Sequence, residues 1–448
     1  MARRAVSAAF FAFSAAFAQG SAPVHAAPGV PCGFYGINPG APVSQGEVLL
    51  DPAYADRLAA SGAGAVRIDF RLDGAAAWDA EQLSRYEAIV DAALAAGLEP
   101  LGLIAYEAVP AGQESWNDDP DGDGYNDYVA AFAATAQVLM GHFAGSVRRW
   151  EVWNEPNCWS NPDYATDPQN AGCSYLLPRV FAAMMTEVYL RNEPLLQAGA
   201  LSLVSGGLFA HDIGGASSPA TDYLGELYAQ EGAWDALEVN AGRRYPWDSL
   251  GYHLYVDQEA LTDGALLTAY LDAVRDLSGQ RGDEAPFAVT EIGWSTLSLT
   301  EEVQAENLSV AFNLLSARED VAGAYWFSYR DAPADDLFFG LASETDVPKL
   351  ALAALQGAAE GCVRVPSETD GGGSGGAGPG SSGVGMGGPG PAGGGTAPPL
   401  GGPAREDSCS CTAAGAGGRQ REAASLLLLS GAALALRLAA PRRRRSRR

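Results

Sequence analysis

The strongest constraint on the fold of this chain is a regular alternation of short β-branched or aromatic runs with longer amphipathic stretches. The amphipathic stretches carry apolar residues at three- and four-residue spacing, as at Ile89, Ala92, Ala93 and Ala96, which is typical of a helix with one buried face. Eight such units follow one another, and they predict an α/β fold, a parallel sheet closed into a (β/α)8 TIM barrel. We predict strands at residues 34–38, 65–70, 100–106, 149–154, 201–208, 250–256, 287–292 and 323–328, and the clearest helices at 80–96, 128–143, 175–191, 266–277 and 301–318.

An open, doubly wound sheet is the alternative arrangement for such an alternation. It would need a glycine-rich phosphate loop directly after the first strand, and residues 36–40, Gly-Ile-Asn-Pro-Gly, do not supply one. In a closed barrel the chemistry lies at the C-terminal ends of the strands. Polar residues at the predicted strand ends are therefore the candidates for a functional site.

The charge of the chain is unevenly distributed. The formal net charge is −26 over 448 residues, and residues 27–370 contain 16 basic against 51 acidic side chains. So acidic a body repels phosphate backbones and anionic lipid, which excludes nucleic-acid binding. An apolar content of 47% is sufficient for a large core, so these residues are expected to form one folded domain, which we place at 27–365.

The first 26 residues have the layout of a secretory signal peptide. A basic start is followed by an apolar stretch over 8–18 and by a small-x-small sequence over 24–26. A buried N-terminal helix is the alternative, and Pro23 and Pro28 disfavour it because proline breaks helices. We therefore expect the protein to be exported.

The C-terminal region divides into a linker over 366–408 and a further segment over 409–448. Of the 32 residues in 371–402, 17 are glycine, which predicts a disordered, flexible linker. The segment after it contains Cys409-Ser410-Cys411, an uncharged apolar run over 423–436 that predicts a short helix, and six arginines among the last seven residues. The apolar run is short for a membrane span, and the arginines would hold the chain end on the cytoplasmic side.

Taken together, the cysteine motif, short apolar helix and terminal arginines resemble the C-terminal sorting signal of myxobacterial surface proteins. The resemblance implies cleavage near the cysteines, lipidation there, and attachment to the cell surface or outer membrane. A simple tail anchor is the alternative. In both cases the membrane partner is reached through the tail or a lipidated cysteine.

Four further cysteines fit an exported protein. Cys158 and Cys173 bracket a loop rich in proline and asparagine, and Cys32 and Cys362 lie at the two ends of the predicted barrel. An oxidising compartment permits the bridges Cys158–Cys173 and Cys32–Cys362. The spacing alone leaves the connectivity open.

Two glutamates stand at strand ends where a purely structural residue would be apolar. Glu155 follows the fourth predicted strand and Glu291 lies near the end of the seventh. Two carboxyl groups facing each other across a barrel mouth suit glycosidic cleavage, in which one protonates the leaving oxygen and the other attacks the anomeric carbon. Glu151 lies one layer deeper on the fourth strand, and we expect it to be a buried partner of an arginine.

The motif Asn154-Glu155-Pro156, with Glu291 on the seventh strand, resembles the (β/α)8 retaining glycoside hydrolases of clan A. The resemblance covers essentially all of residues 33–360 and implies that Glu155 is the acid/base and Glu291 the nucleophile. It further implies substrate-site roles for Asn154 at the sugar 2-hydroxyl, for Arg67 in keeping Glu291 ionised, for His253 and Tyr255 of an H-x-Y element whose tyrosine contacts the nucleophile, and for Trp326 as the aromatic floor of the −1 sugar site.

Aromatic side chains in the strand-end loops are further substrate-binding candidates, because aromatic faces stack on the apolar faces of sugar rings. We place Trp159 and Trp294 in this group, together with Trp116 and Trp247. For each of them a packed loop anchor is the alternative.

An aspartate-rich segment over residues 119–127 begins like a calcium loop. Asp119, Asp121, Asp123 and Asp127 supply oxygen ligands at alternating positions, with a glycine at position six. Position twelve is Ala130, where an EF-hand has glutamate, and the segment is more similar to the short loops of thrombospondin-type repeats. A structural Ca²⁺ ion and a solvated polar loop are the two interpretations. Catalysis itself requires no cofactor, since no two histidines have metal-pair spacing.

The sequence thus predicts an exported, surface-attached retaining β-glycosidase that acts on a poly- or oligosaccharide. A barrel-only enzyme resembling family five, the cellulase and mannanase group, is favoured over family thirty-nine because no β-sandwich follows the last helix. A non-catalytic carbohydrate-binding surface protein on a similar barrel is the alternative from another class. The substrate linkage and the oligomeric state are left open.

Overall fold

A closed barrel of eight parallel strands forms the centre of the computed structural model, which describes residues 29–110, 112, 115–157, 174–213 and 216–364. Strand β1 pairs with both β2 and β8, and β4 pairs with β5, so the sheet closes on itself. The predicted (β/α)8 fold is therefore confirmed. The strands are β1 Tyr35–Asn38, β2 Ala65–Phe70, β3 Glu99–Ile104, β4 Arg149–Asn154, β5 Ser202–Ile213, β6 Leu250–Tyr255, β7 Phe287–Ile292 and β8 Val321–Phe327.

Helices follow the strands in turn and cover the outside of the barrel. Four of them start at a side-chain cap, where Asp51, Asp79, Asn126 and Thr300 each accept a hydrogen bond from a first-turn backbone N–H. Strand β5 is followed by two helices. The helices are α1 Pro52–Ala60, α2 Ala80–Ala95, α3 Asp127–His142, α4 Pro178–Gln197, α5 Thr221–Tyr228, α6 Glu231–Ala241, α7 Ala265–Gln280, α8 Glu301–Ser316 and α9 Leu350–Ala359.

Two element boundaries differ clearly from the sequence prediction. Strand β5 extends to Ile213 because its end pairs antiparallel with a short strand, Ala216–Ser218, at the rim. Helix α4 continues past Pro194 to Gln197, although proline lacks the N–H that a helix interior uses. The extension of β5 depends on a contact with another element, which local sequence patterns do not report.

The barrel interior changes from apolar to charged along its axis. Ala65, Leu101, Val204, Ala288 and Tyr325 form a small apolar cluster near the strand starts, separate from the large core between strands and helices. Gly36 leaves the space that the Tyr325 ring occupies, since a Cβ at Gly36 would lie 2.2 Å from that ring. Above this cluster, Arg67, Glu151, His253 and Glu291 are buried, so the C-terminal ends of the strands hold the charged groups.

A disulfide bond joins the two ends of the barrel chain. Cys32 and Cys362 are bonded with a Cα–Cα distance of 4.9 Å across a sequence separation of 330. The Cys32 N–H also donates to the Val363 carbonyl at 2.9 Å, next to a bridge between Pro31 and Val363. The predicted pairing of these cysteines is confirmed, and it lies at the N-terminal end of the barrel, away from the mouth.

Several predictions fall on segments outside the described residues. These are the signal peptide, the linker, the C-terminal segment, Trp159 and the Cys158–Cys173 bridge. Within the described part of the chain, no helix is long and apolar enough to cross a membrane.

Candidate active site

Side chains from five strands meet at the C-terminal mouth of the barrel. Arg67 of β2 lies at the centre of their hydrogen-bond network, and it is 3% exposed. Its Nε donates to Glu151 Oε2 at 2.6 Å, one terminal nitrogen to Glu291 Oε1 at 2.6 Å and the other to Asn154 Oδ1 at 2.9 Å. Burial opposes the charge of Arg67, but the Glu151 and Glu291 carboxylates outweigh it and raise the guanidinium pKa. The arginine therefore links β4 and β7 as a permanent cation.

Glu151 is the deepest acidic group of the mouth and is fully buried. Its Oε1 accepts hydrogen bonds from the Gly207 N–H at 3.0 Å and the Thr290 hydroxyl at 2.8 Å. Burial would raise the pKa of Glu151, but Arg67 and His253 lower it to about 2. The expectation that Glu151 is a buried arginine partner is confirmed.

Glu291 is held by three donors. Its Oε1 accepts from Arg67 and from Asn38 Nδ2 at 2.8 Å, and its Oε2 accepts from the Tyr255 hydroxyl at 2.7 Å. A register shift in the pairings of β7 lets the consecutive residues Thr290 and Glu291 both reach the interior network. Only an acceptor can satisfy this donor set, so the site presents Glu291 as an oriented carboxylate.

Glu155 stands over the mouth with far fewer contacts. Trp153 and Glu155 have φ values of +77° and +50°, in the left-handed region that non-glycine residues rarely adopt. Trp153 packs outward against Phe132 of α3, and the change of strand phase leaves Asn154 and Glu155 at the mouth. The Glu155 side chain is 23% exposed, against 11% for Glu291. Such strained backbone is typical of functional sites.

His253 of β6 lies between the carboxylates and is fully buried. Its Nδ1 is 2.8 Å from Glu155 Oε1 and 3.7 Å from Glu291 Oε2, and its Nε2 is 3.7 Å from Glu151 Oε1. The shortest of these distances is a hydrogen bond, whereas 3.7 Å is too long for one, and Nε2 has no hydrogen-bond partner. Burial would lower the pKa of His253, but the three glutamates raise it to about 9. The raised pKa favours the protonated ring, in which Nδ1–H donates to Glu155.

Glu155, His253 and Glu291 also have the side-chain types that bind metal ions. One ligand atom from each lies within 4.8 Å of the other two, and among the described residues this is the group of three with that geometry. A metal would require neutral His253, and the Arg67 guanidinium already occupies Glu291. The charges of the donor set thus fit a catalytic carboxylate pair better than a cation site.

The tryptophans do not have the positions predicted for sugar contacts. Trp294 and Trp326 are both fully buried, with their rings 6.0 Å apart and their indole N–H groups bonded to the Val256 and Phe339 carbonyls. Tyr325 points into the barrel, so Trp326 points out toward the helices, and Phe327 is the next inward residue of β8. The prediction of Trp326 as a sugar floor, and of Trp294 as a sugar contact, is therefore wrong.

The two remaining tryptophan candidates within the described residues are also packing residues. Trp116 is 6% exposed and packs edge-on against Trp153. Trp247 is 2% exposed and precedes β6, at the end of the barrel opposite the mouth, where its indole N–H donates to Asp283. Both are loop anchors, which was the alternative interpretation.

Sequence reasoning missed Asn38 and the partly exposed aromatic residues Phe327 and Phe339. Asn38 is a polar residue at the end of a buried strand, which is the same signal that identified Glu155. Phe327 and Phe339 carry no sequence signal of this kind, because their exposure depends on strand phase and on a loop fold.

The aspartate-rich loop uses its first carboxylate internally. Asp119 accepts hydrogen bonds from the N–H groups of Gly122 and Gly124 and forms an ion pair with Arg179 of α4. Its side chain is fully buried; burial raises its pKa, but Arg179 and the N–H donors outweigh this and lower it. Among the described residues, the carboxylates of this loop form no group of three at metal-binding distance. In the structure the Asp119 carboxylate is thus paired with Arg179, whereas the calcium interpretation pairs it with a Ca²⁺ ion.

No protein-family model matches the sequence, and no curated protein sequence matches it either. Solved structures do match its fold. A family 39 glycoside hydrolase from Bacteroides cellulosilyticus WH2 has a TM-score of 0.51 at 19% identity, over 74% of this chain and 64% of that one, so the chain spans less than two thirds of that enzyme. ZgEngAGH5_4 has a TM-score of 0.51 at 15% identity, over 74% of this chain and 98% of that one.

A GH5_18 protein from Streptomyces cattleya in complex with Manb1-4GlcNAc has a TM-score of 0.50 at 17% identity, over 69% of this chain and 74% of that one. The scores of the family 5 and family 39 structures are nearly equal, so they do not choose between the two families. Identities this low report on the fold. The chain has a (β/α)8 barrel of the kind found in glycoside hydrolases of families 5 and 39.

Proposed function

We propose that this protein is a retaining β-glycosidase that hydrolyses a poly- or oligosaccharide by double displacement. The observation that carries the proposal is the pair Glu155 and Glu291 at the barrel mouth, where one carboxylate oxygen of Glu155 lies within 4.8 Å of one carboxylate oxygen of Glu291. Retaining enzymes place their carboxyl groups about 5–5.5 Å apart, whereas inverting enzymes need about 6.5–9.5 Å to admit a water. The short separation supports retention.

The environments of the two glutamates support different roles. Glu291 is fixed by Arg67, Asn38 and Tyr255, so its carboxylate is oriented for attack on an anomeric carbon. Among the residues that the structure describes, the Glu155 carboxyl group has one side-chain hydrogen-bond partner, His253 at Oε1, so Oε2 is available to carry a proton toward the substrate. The fixed group is assigned as nucleophile and the freer group as acid/base.

The reaction then follows in two balanced steps. Glu155 protonates the glycosidic oxygen as the bond to the leaving group breaks and a bond forms between Glu291 and the anomeric carbon. In the second step Glu155 takes a proton from water, the water oxygen attacks the anomeric carbon, and Glu291 is released. The imidazolium of His253 stabilises the anionic form of Glu155 that exists between the two steps.

The test is hydrolysis of a panel of aryl β-glycosides and plant or fungal polysaccharides by the full chain. We expect turnover by the unmodified protein and a loss of at least about 10³-fold in Glu291→Gln and in Glu155→Gln. Glu306→Gln changes an exposed glutamate of α8 and is the matched control. NMR of the first-formed product should show retention of the anomeric configuration. A protein that binds polysaccharide but cleaves nothing on the panel would be the non-catalytic alternative.

We also propose export and attachment through the C-terminal segment. Support comes from the Cys32–Cys362 disulfide, since such bonds persist in oxidising compartments, and from the order of linker, cysteine motif, apolar run and arginines. Replacing Cys409 and Cys411 with serine should release the protein from the membrane fraction of cells that export it. Unchanged fractionation of this variant would contradict attachment through those cysteines.

A further inference from the structure

Aromatic side chains form one side of the barrel mouth, which we call the aromatic wall. It consists of Phe209 of β5, Tyr255 and Phe327 at the ends of β6 and β8, and Phe339 of the loop after β8. Phe209 stacks on Tyr255 at 5.4 Å, Phe339 meets Tyr255 edge-on at 6.0 Å, and Phe327 lies 5.6 Å from Phe339. Tyr255 is the residue that donates to Glu291, so the wall adjoins the proposed nucleophile.

The opposite side of Glu291 is polar. Asn38, Arg67 and Asn154 lie there, and all three belong to the hydrogen-bond network of the mouth. A pyranose ring has apolar C–H faces and polar hydroxyls at its edges. A mouth with one aromatic and one polar side therefore suits a sugar that lies with a C–H face against the aromatic wall.

Phe339 is the member of the wall that does not come from a strand. Its ring lies against Gly293, just beyond β7, where a Cβ would approach the ring to 3.1 Å. Its backbone carbonyl accepts hydrogen bonds from the Trp326 indole at 3.0 Å and the Ser328 N–H at 3.4 Å. Phe339 is partly exposed.

The position of Phe339 is fixed by Lys349, the single lysine of the sequence. Lys349 is 8% exposed, and its Nζ donates to Thr296 at 2.8 Å, to the Phe338 carbonyl at 3.2 Å and to Asp331 at 2.8 Å. The same oxygen of Asp331 accepts the Gly340 N–H at 2.8 Å. The ion pair thus holds the backbone on both sides of Phe339, at residues 338 and 340. A buried ion pair contributes little net stability. Here its hydrogen bonds hold the Phe338 carbonyl and the Gly340 N–H in place.

We propose that Phe339 is a sugar-contacting residue that sets substrate affinity at the mouth, and that Lys349 and Asp331 are positioning residues for it. This rests on the proposed function, because the sugar is taken to bind beside Glu291. Phe339 comes from a loop, so it is a determinant that strand-end patterns do not reveal.

The experiment measures kcat and KM for Phe339→Leu and Phe339→Trp on the best substrate of the panel. Leucine keeps apolar bulk without a ring face, and we expect a rise in KM of about tenfold with kcat little changed. Tryptophan keeps the ring and should retain most of the affinity. Tyr125→Leu, at an aromatic residue that is 45% exposed in the aspartate-rich loop, is the matched control.

Lys349→Met keeps the length of the side chain and removes its charge. We expect a rise in KM similar to that of Phe339→Leu, and no further rise when the two changes are combined, because both act through one contact. Asp331→Asn provides a second route to the same result if Lys349→Met does not fold. Additive effects in the double variant would overturn the positioning role.

Retention on an oligosaccharide affinity gel separates this proposal from the proposed function. If the unmodified protein is retained but cleaves nothing, the glycosidase proposal fails, while weaker retention of Phe339→Leu would still support the sugar contact. If Phe339→Leu matches the unmodified protein in both KM and retention, the sugar contact is wrong. If the unmodified protein neither binds nor cleaves any sugar, both proposals are wrong.

Discussion

Removal of the Cys32–Cys362 bond should destabilise the barrel strongly without changing the chemistry at its mouth. The bond closes a loop with a sequence separation of 330. The chain-entropy relation for a loop of that size corresponds to a contribution of about 6 kcal/mol to the free energy of unfolding. The described body spans about 340 residues, for which the entropy of unfolding is about 0.7 kcal/mol/K. The melting temperature should therefore fall by about 8 °C in Cys32→Ser.

Calorimetry of Cys32→Ser, Cys362→Ser and the double variant tests this reasoning. All three should melt at the same temperature, because each loses the same bond and both side chains are only partly buried. Activity at 25 °C should be unchanged, because the bond lies at the N-terminal end of the barrel and Glu291 at the other. A melting temperature equal to that of the unmodified protein, or a double variant far less stable than either single one, would refute the loop-closure argument.

Three further predictions concern the charged groups. Arg67→Met should lower the free energy of unfolding by about 3–5 kcal/mol, because it leaves the Glu151 carboxylate buried without its cation; urea titration measures this effect. The same variant should have no hydrolytic activity, which kinetics measure. The pKa of His253 is raised to about 9, so protonated His253 stabilises the fold fully below pH 6.5, and this stabilisation is lost as the pH rises through 9. The pKa of Glu151 is lowered to about 2, so ionised Glu151 stabilises the fold above pH 4.5, and this stabilisation is lost as the pH falls through 2. Urea midpoints should decline at both extremes, and His253→Asn should remove the alkaline decline. Asp119→Asn should lower the free energy of unfolding by about 1 kcal/mol equally in calcium and in chelator, since its partner is Arg179; a loss seen only in calcium would instead support a bound ion.

The fold and the principal carboxylates were predictable because both depend on local patterns. The alternation of strand and helix periods over eight units leaves few arrangements other than a closed barrel. A charged residue at the end of a buried strand is an exception to the strand pattern, which is why Glu155, Glu291 and the deeper Glu151 could be assigned. The positions of Cys32 and Cys362 at the two ends of the predicted domain permitted their pairing, and the structure decided it.

The aromatic residues show where that reasoning fails. Trp326 and Phe327 are consecutive residues of β8, and consecutive side chains of a strand point to opposite faces of the sheet. The phase of β8 is set by Tyr325, which fills the space left by Gly36 on the neighbouring strand. No pattern within 321–327 reports that contact. The resemblance implied Trp326 as the sugar floor, whereas Trp326 packs beneath the helices.

The sequence by itself determined the barrel and the glutamate pair, since period and strand-end polarity are local properties, and it left the connectivity of the cysteines to the structure. Only the tertiary structure decided which aromatic rings face the mouth, that Asn38 completes the donor set of Glu291, and that Asp119 is engaged by Arg179. These outcomes depend on strand phase and on contacts between residues distant in the chain. The one lysine at position 349 shows the same division: its uniqueness can be read from the sequence, but its hold on both sides of Phe339 exists only in the folded loop.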